Sequence, residues 1–359
     1  MRIGIVTQPL CANYGGILQN LALQKVLKDM GHTPITLDLC THLNISKAEY
    51  IKGYLINLMK CFVKRRRIKY LSYNQKRPEF FDQFVSEYIY TTEEIKEYSS
   101  FIIDKYELDC LIVGSDQVWR PRFNVFPEDM FLRFAVGKEI KRLSYAASFG
   151  VDNWEYSDYL TRVCRDLSSA FDGISVREES GVLLCKKYLR QDSVAVLDPT
   201  LLLGQDYYNS LCKDVKKQNE KFIAVYTLNL TDGIKKQIDT FASEFGYKIR
   251  LFTSDANHTL TVPEWISVFR DALFVITDSF HGTAFSIIYN KNFISISNDS
   301  RGASRFNSLL RVFGLENRFV VDGSLDSSIL KKEIDWKEVN ERREIMVNKS
   351  LLFLHNRLQ

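Results

Sequence analysis

The chain has 359 residues, 45% hydrophobic and 26% charged, the composition of a soluble globular protein with room for two ordinary domains. Disorder, collagen-like repetition and a coiled coil are excluded as global descriptions. A net charge of +4 over this length is too small to announce a nucleic-acid binder.

Residues 2–7 read as a first strand, followed by a loop over 8–15. Gln8 and Pro9 interrupt the apolar run well short of a signal-peptide core. The spacing of Leu18, Leu21, Ala22, Leu23, Val26 and Leu27 predicts a helix over 16–30, with Gly31 as its stop. Ile35, Leu37 and Leu39 then alternate as a second strand, which completes a βαβ unit.

Residues 46–69 differ from their surroundings. Lys47, Lys52, Lys60, Lys64, Arg65, Arg66, Arg67 and Lys69 face the single acid Glu49, with Tyr54, Leu55, Ile56, Leu58, Met59 and Phe62 interleaved. Two readings stand. The stretch meets an anionic membrane through charge attraction and apolar insertion, or it is a helical excursion on the first domain with a solvated basic face.

The βα alternation resumes at residue 108. Strands are expected at 111–113, 143–147, 173–176 and 194–197. Short continuous apolar strands between helices imply a parallel sheet covered on both faces. Residues 203–218, polar and broken by Gly204, mark a domain boundary, and a second βα series follows with strands at 222–228, 247–251, 273–276 and 293–296. Asp335 and Glu338 form a capping-box pattern that opens a terminal helix over 336–354. The expected architecture is α/β, two Rossmann-like domains facing across a cleft: 1–203, 204–334, and a terminal helix in 335–359 packing back on the first domain.

No uncharged apolar stretch of roughly 18 residues suggests a membrane span. The seven cysteines are scattered, odd in number and without a Cys-x-x-Cys pair. They read as reduced thiols of a cytoplasmic protein. The dispersed histidines suggest no zinc site.

In open parallel sheets, ligands bind beyond the carboxyl ends of the strands, and the polar signatures cluster there. Asn13-Tyr-Gly-Gly16, Gly114-Ser-Asp-Gln117, Arg177-Glu178 and Thr277-Asp-Ser-Phe-His-Gly-Thr283 each follow a predicted strand. A helix starting near Gly282 would present N–H groups and a positive dipole end to an anion, with His281 and Thr283 beside it. Otherwise Asp278 or Ser279 caps the helix and His281 satisfies a core hydrogen bond. The fork of Arg177 suits a carboxylate or phosphate, or it pairs with Glu178, Glu179 or a helix carboxylate. Asp116 caps the next helix or accepts a proton from a sugar hydroxyl. Asn13 to Gly16 form a tight turn and helix cap without the Gly-x-Gly-x-x-Gly spacing, so NAD is disfavoured. A P-loop and a Gly-x-Ser-x-Gly elbow are also absent.

In this order the motifs resemble the polysaccharide pyruvyl transferase family. They are Asn13-Tyr-Gly-Gly-Ile-Leu-Gln-Asn20, Val113-Gly-Ser-Asp-Gln-Val-Trp119, Tyr145-Ala-Ala-Ser-Phe-Gly150, Ile174-Ser-Val-Arg-Glu178, Leu197-Asp-Pro-Thr200 and Thr277 to Ser286. The resemblance spans residue 2 to about residue 320, the basic stretch excepted. It implies a GT-B-like fold and transfer of pyruvate from phosphoenolpyruvate to a sugar of a surface polysaccharide or its lipid-linked precursor, as a ketal. By the same resemblance Arg177 and His281 are the donor-site pair, with Ser279, Gly282 and Thr283 at the helix start. Asn13, Tyr14, Gly15, Asp116 and Gln117 lie across the cleft toward the acceptor. His281 and Asp116 are the catalytic candidates. Phosphoenolpyruvate is a co-substrate, and no cofactor, metal or nucleic acid is implied. A nucleotide-sugar glycosyltransferase and a catalytically silent glycan-binding relative are the alternatives on this fold.

Overall fold

The computed structural model describes residues 1–11, 13–39, 77–124, 126–229, 231–253, 260–297, 303–321, 329 and 332–359. The basic stretch 46–69, and with it the membrane expectation, lies outside the described residues.

The first domain is built on six parallel strands, β1 (Arg2–Val6), β2 (Thr33–Thr36), β3 (Cys110–Val113), β4 (Lys141–Ala147), β5 (Gly173–Val176) and β6 (Val194–Ala195). Their spatial order is β2-β1-β3-β4-β5-β6. All four residues of β3 and of β5 are buried, as a sheet covered on both faces requires. The second domain carries β7 (Phe222–Tyr226), β8 (Lys248–Phe252), β9 (Phe274–Thr277), β10 (Asn292–Ile296) and β11 (Phe319–Val320), also parallel, in the order β11-β10-β9-β7-β8.

The helices in chain order are α1 (Tyr14–Asp29), α2 (Glu79–Tyr88), α3 (Ser100–Lys105), α4 (Asp158–Ser168), α5 (Glu179–Leu184), α6 (Gln205–Leu211), α7 (Asp232–Phe245), α8 (Val262–Asp271), α9 (Phe280–Ile288), α10 (Ser304–Phe313) and α11 (Trp336–Leu358). The sequence reading did not anticipate α2 and α3. Helix α1 begins two residues earlier than its apolar spacing suggested. It is buried on nearly every side because it lies between the two domains. Two of its buried polar residues, Asn20 and Gln24, bond to Thr36. Gln24 Nε2 donates to Thr36 Oγ1 (2.9 Å) and to Tyr90 O (2.7 Å), and Thr36 Oγ1 donates to Asn20 Oδ1 (2.8 Å).

One apolar cluster runs from the first sheet through α1 into the second domain. Within it Tyr14 stacks on Trp265 at 5.3 Å, and Tyr208 meets Phe285 edge-on at 4.8 Å. Helix α11 lies against the first domain. Leu197 N donates to Ser350 Oγ (3.0 Å), Arg343 Nε to Leu201 O (3.0 Å) and Lys141 Nζ to Gln359 O (2.7 Å). Asp335 caps this helix through the N–H groups of Lys337 and Glu338. The reciprocal half of the expected capping box is absent there, because Glu338 pairs with Arg342 one turn on (3.0 Å). A complete capping box sits instead at α8, between Thr261 and Glu264.

Candidate active site

The carboxyl ends of β3, β5 and β6 and the first turn of α9 meet at the junction of the domains. Gly114, at φ +130°, turns the chain out of β3 where a Cβ would stand 2.1 Å from Tyr145 O. Ser115 and Asp116 follow it. Strand β5 delivers Arg177, the segment after β6 delivers Asp198, and α9 delivers Phe280 and His281.

Asp198 is the hub. Its side chain is fully buried, and its Oδ2 accepts from Arg177 Nη1 (2.8 Å) and Ser115 Oγ (3.3 Å), with His281 Nε2 at 3.6 Å. Its Oδ1 accepts from Thr200 N (3.0 Å) and Thr200 Oγ1 (2.7 Å). Burial opposes ionisation of Asp198, but His281 and Arg177 outweigh it and hold the carboxyl well below the usual carboxylate range. Arg177 also reaches Asp116, Nη2 to Oδ1, at 3.3 Å. Burial works against ionisation of Asp116 too, and Arg177, His281 and Arg305 overcome it. For Arg177, burial disfavours the charge and the carboxylates of Asp198 and Asp116 restore it, so the guanidinium stays cationic. Its plane lies 4.3 Å from the ring centre of Phe280, and Arg305 stands 5.8 Å from the same ring.

The imidazole of His281 is held from both domains. Ser279 caps α9, its Oγ accepting from Gly282 N (3.4 Å). On the other side the ring rests on Gly15 of α1, where a Cβ would stand 1.9 Å from Nδ1. The His281 side chain keeps 9% of its surface exposed. Its Nε2 is buried and makes no hydrogen bond among the described residues. The network therefore holds an imidazole 3.6 Å from a fixed carboxylate.

The structure brings His281, Arg177, Asp116 and Gly15 together and corrects several expectations. Asp116 does not face the Arg177–His281 pair across a cleft, because it is ion-paired with Arg177 itself. The partners of Arg177 are Asp198 and Asp116, not Glu178 or Glu179. Glu178 Oε1 instead accepts from Ser148 Oγ, Phe149 N and Gly150 N (2.8, 2.9 and 3.1 Å) and holds the turn after β4. Tyr14, expected at the acceptor, is buried, with its hydroxyl bonded to both the N–H and the C=O of Leu260. The Thr283 hydroxyl points into its own domain, to Ser279 O (3.2 Å) and Ser295 Oγ (2.6 Å), so it does not present itself to an anion. Gly282 is required by Thr277, whose Oγ1 would lie 2.2 Å from a Cβ. Gln117 is buried, and its Oε1 accepts from Arg120 Nη1 (3.0 Å). Asn13 is exposed at the start of α1 and makes no side-chain cap. Asp278 holds the loop after β7, accepting from Leu228 N (2.6 Å) and Asn229 N (2.9 Å).

Asp198, Ser115, Phe280 and Arg305 were not anticipated as site residues. For Asp198 the signal was present, since Leu197-Asp-Pro-Thr200 follows a strand like the other motifs. Its partners Arg177 and Ser115 are 21 and 83 residues away in the chain. Among the described residues, no group of three or more His, Cys, Asp or Glu could hold a metal ion, and no helix is long and apolar enough to cross a membrane.

Two parallel-sheet Rossmann-like domains with a polar cluster where they meet define an α/β protein of the GT-B type. Solved structures share the fold. UDP-GlcNAc 2-epimerase from Neisseria meningitidis, bound to UDP-GlcNAc, is 11% identical with a TM-score of 0.52, over 100% of this chain and 99% of that one. MnaA of S. aureus with UDP is 14% identical with a TM-score of 0.52, over 98% and 91%. A glycosyltransferase from Rickettsia africae is 12% identical with a TM-score of 0.52, over 99% and 96%. At these identities the likeness is one of fold alone. No curated protein matches the chain. The family model for polysaccharide pyruvyl transferase matches residues 13–300, and the chain belongs to that family of transferases.

Proposed function

We propose that the chain transfers the pyruvyl group of phosphoenolpyruvate to a glycan as a ketal. The observation that carries this reading is the buried triad of Arg177, Asp198 and His281, with its cation and carboxylate from the first domain and its imidazole from the second. The donor has a carboxylate, a phosphate and a methylene carbon that must be protonated. His281 gives the proton to the methylene, and Asp198 stabilises the imidazolium before transfer. A sugar hydroxyl attacks the central carbon, the carbon–oxygen bond to phosphate breaks, and a second hydroxyl closes the ketal. One hydroxyl proton ends in the new methyl group and the other on phosphate. The longer arm of Arg177, to Asp116 at 3.3 Å, is the one an incoming anion displaces. That displacement frees the Asp116 carboxylate to accept a hydroxyl proton.

Phosphate release from phosphoenolpyruvate, measured with a panel of free and lipid-linked oligosaccharides, tests the proposal. Release with one acceptor and not with others is expected. Turnover of a nucleotide sugar without phosphoenolpyruvate would install the glycosyltransferase reading instead. Binding of a glycan with no turnover would install the silent relative. The reading extends to a cytoplasmic enzyme meeting a lipid-linked acceptor, with residues 46–69 holding it to an anionic membrane. Salt-sensitive co-sedimentation with anionic liposomes is expected, and its absence at low salt removes that extension.

A further inference from the structure

Ser115 has one hydroxyl proton and two acceptors in reach of it. Its Oγ stands 2.8 Å from Oε1 of Gln19 on α1 and 3.3 Å from Oδ2 of Asp198, and it accepts from Asp116 N at 2.7 Å. Hydroxyl donors sit about 2.7–2.8 Å from their acceptors, so the contact to Gln19 takes the larger share of the proton. Oδ2 of Asp198 is left with Arg177 Nη1 at 2.8 Å and faces His281 Nε2 at 3.6 Å.

Gln19 is fully buried, one turn along α1 from Gly15, the seat of the His281 ring. Its Nε2 has no hydrogen-bond partner among the described residues. A buried unpaired N–H destabilises a fold, and Met would fill similar space with a similar helix propensity and no such group. Packing therefore does not account for glutamine at this position. What the side chain supplies is an oxygen aimed at Ser115.

We propose that Gln19 is a positioning residue of the active site. By holding the Ser115 proton it keeps that proton off Asp198, and the carboxylate charge is left for the imidazole of His281. A hydrogen bond stabilises the charge of the carboxylate that accepts it, so a stronger bond from Ser115 would weaken the hold of Asp198 on a protonated His281. The inference rests on the reading of His281 as the proton donor in pyruvyl transfer, whereas the effect on the imidazole is independent of substrate. The charged groups of this cluster are Asp198, Asp116 and Arg177 of the first domain and Arg305 of α10. Substitution at Gln19 or Ser115 leaves all four in place.

The test follows the imidazole resonances of the full chain by NMR titration. The His281 signal, one of five histidines, is assigned by its loss in His281→Ala. Gln19→Met keeps the bulk, removes the acceptor and releases the Ser115 proton to Asp198. The titration midpoint of His281 is expected to fall by roughly 0.5–1 pH unit. On the alkaline side of the pH profile kcat is expected to fall about three- to tenfold, with the donor KM unchanged. Ser115→Ala alone is expected to leave the midpoint near that of the wild type. Added to Gln19→Met it is expected to restore the midpoint, which a loss of packing could not do. A midpoint that rises in Ser115→Ala shows that the proton sits on Asp198 and overturns the proposal, and this variant decides if Gln19→Met fails to fold. An unmoved midpoint in a folded Gln19→Met overturns it as well. If the wild type does not turn over phosphoenolpyruvate, the donor reading falls, and the titration still decides whether Gln19 acts on His281.

Discussion

His281 of α9 and Gly15 of α1 touch across the junction of the two domains, so closely that a Cβ on Gly15 would stand 1.9 Å from the imidazole Nδ1. On its other edge the same ring is 3.6 Å from Asp198. The second domain supplies the imidazole, and two residues of the first domain flank it. Gly15 is thus a steric requirement of the site and not only the small residue of a turn.

Gly15→Ala is therefore expected to push the imidazole away from Asp198. Ala is the better helix former by about 1 kcal/mol, so the helix itself is kept. A displacement of the order of 1 Å at the reacting group costs about a hundredfold in kcat. Kinetics beside a thermal melt check it, and unchanged kcat would show that the seat of the ring does not matter.

His281→Ala is expected to lower kcat by about 10²–10⁴-fold. The melting temperature should stay near that of the wild type, because Asp198 retains Arg177 and Thr200 as partners. A large fall in melting temperature with transfer preserved would return His281 to a core role.

Asp198→Asn removes the nearer of the two carboxylates that compensate Arg177. Breaking a buried pair in this way costs about 3–5 kcal/mol of stability at neutral pH. Burial alone would raise the carboxyl pKa, and His281 and Arg177 reverse the sign, so the folded-state value lies below the unfolded one. The stabilisation is then present above about pH 4, the value of an unperturbed Asp, and is lost as pH falls toward the folded-state pKa. Urea denaturation at pH 7 and pH 3 should show a shallower acid limb in the variant. Parallel acid limbs would remove Asp198 from the account of acid stability.

Tyr14→Phe separates a packing role from an acceptor role. Its hydroxyl bridges the N–H and C=O of Leu260 between the domains. Loss of that hydroxyl is expected to cost about 1–2 kcal/mol, read by chemical denaturation, with the acceptor KM unchanged. A raised acceptor KM without loss of stability would put Tyr14 back in the cleft.

Much of the architecture is legible in the amino-acid sequence. Continuous apolar runs such as Leu111–Val113 and Leu273–Ile276, bounded by polar and turn residues, read as strands buried on both faces, and polar residues at their ends mark the face where ligands bind. The starts of α1 and α9 were readable within a residue or two from their neighbours, because turn chemistry and apolar periodicity are local properties of the chain.

The partners were not legible. Arg177 could have met any nearby acid. The order β3-β4-β5-β6 brings the chain after β3 and after β6 toward the end of β5, so Asp116 and Asp198 reach its two arms from 61 and 21 residues away. Thr283 and Tyr14 carried hydroxyls of the right kind for a binding site, and tertiary packing turned both inward. Local pattern was enough for most of the strands, for helices α1, α9 and α11 and for where polar groups leave the strands, but not for α2 and α3. Strand order and the contact between domains decided which charge meets which, because an ion pair depends on distance in space, and period and turn preference say nothing about separations longer than the element that carries them.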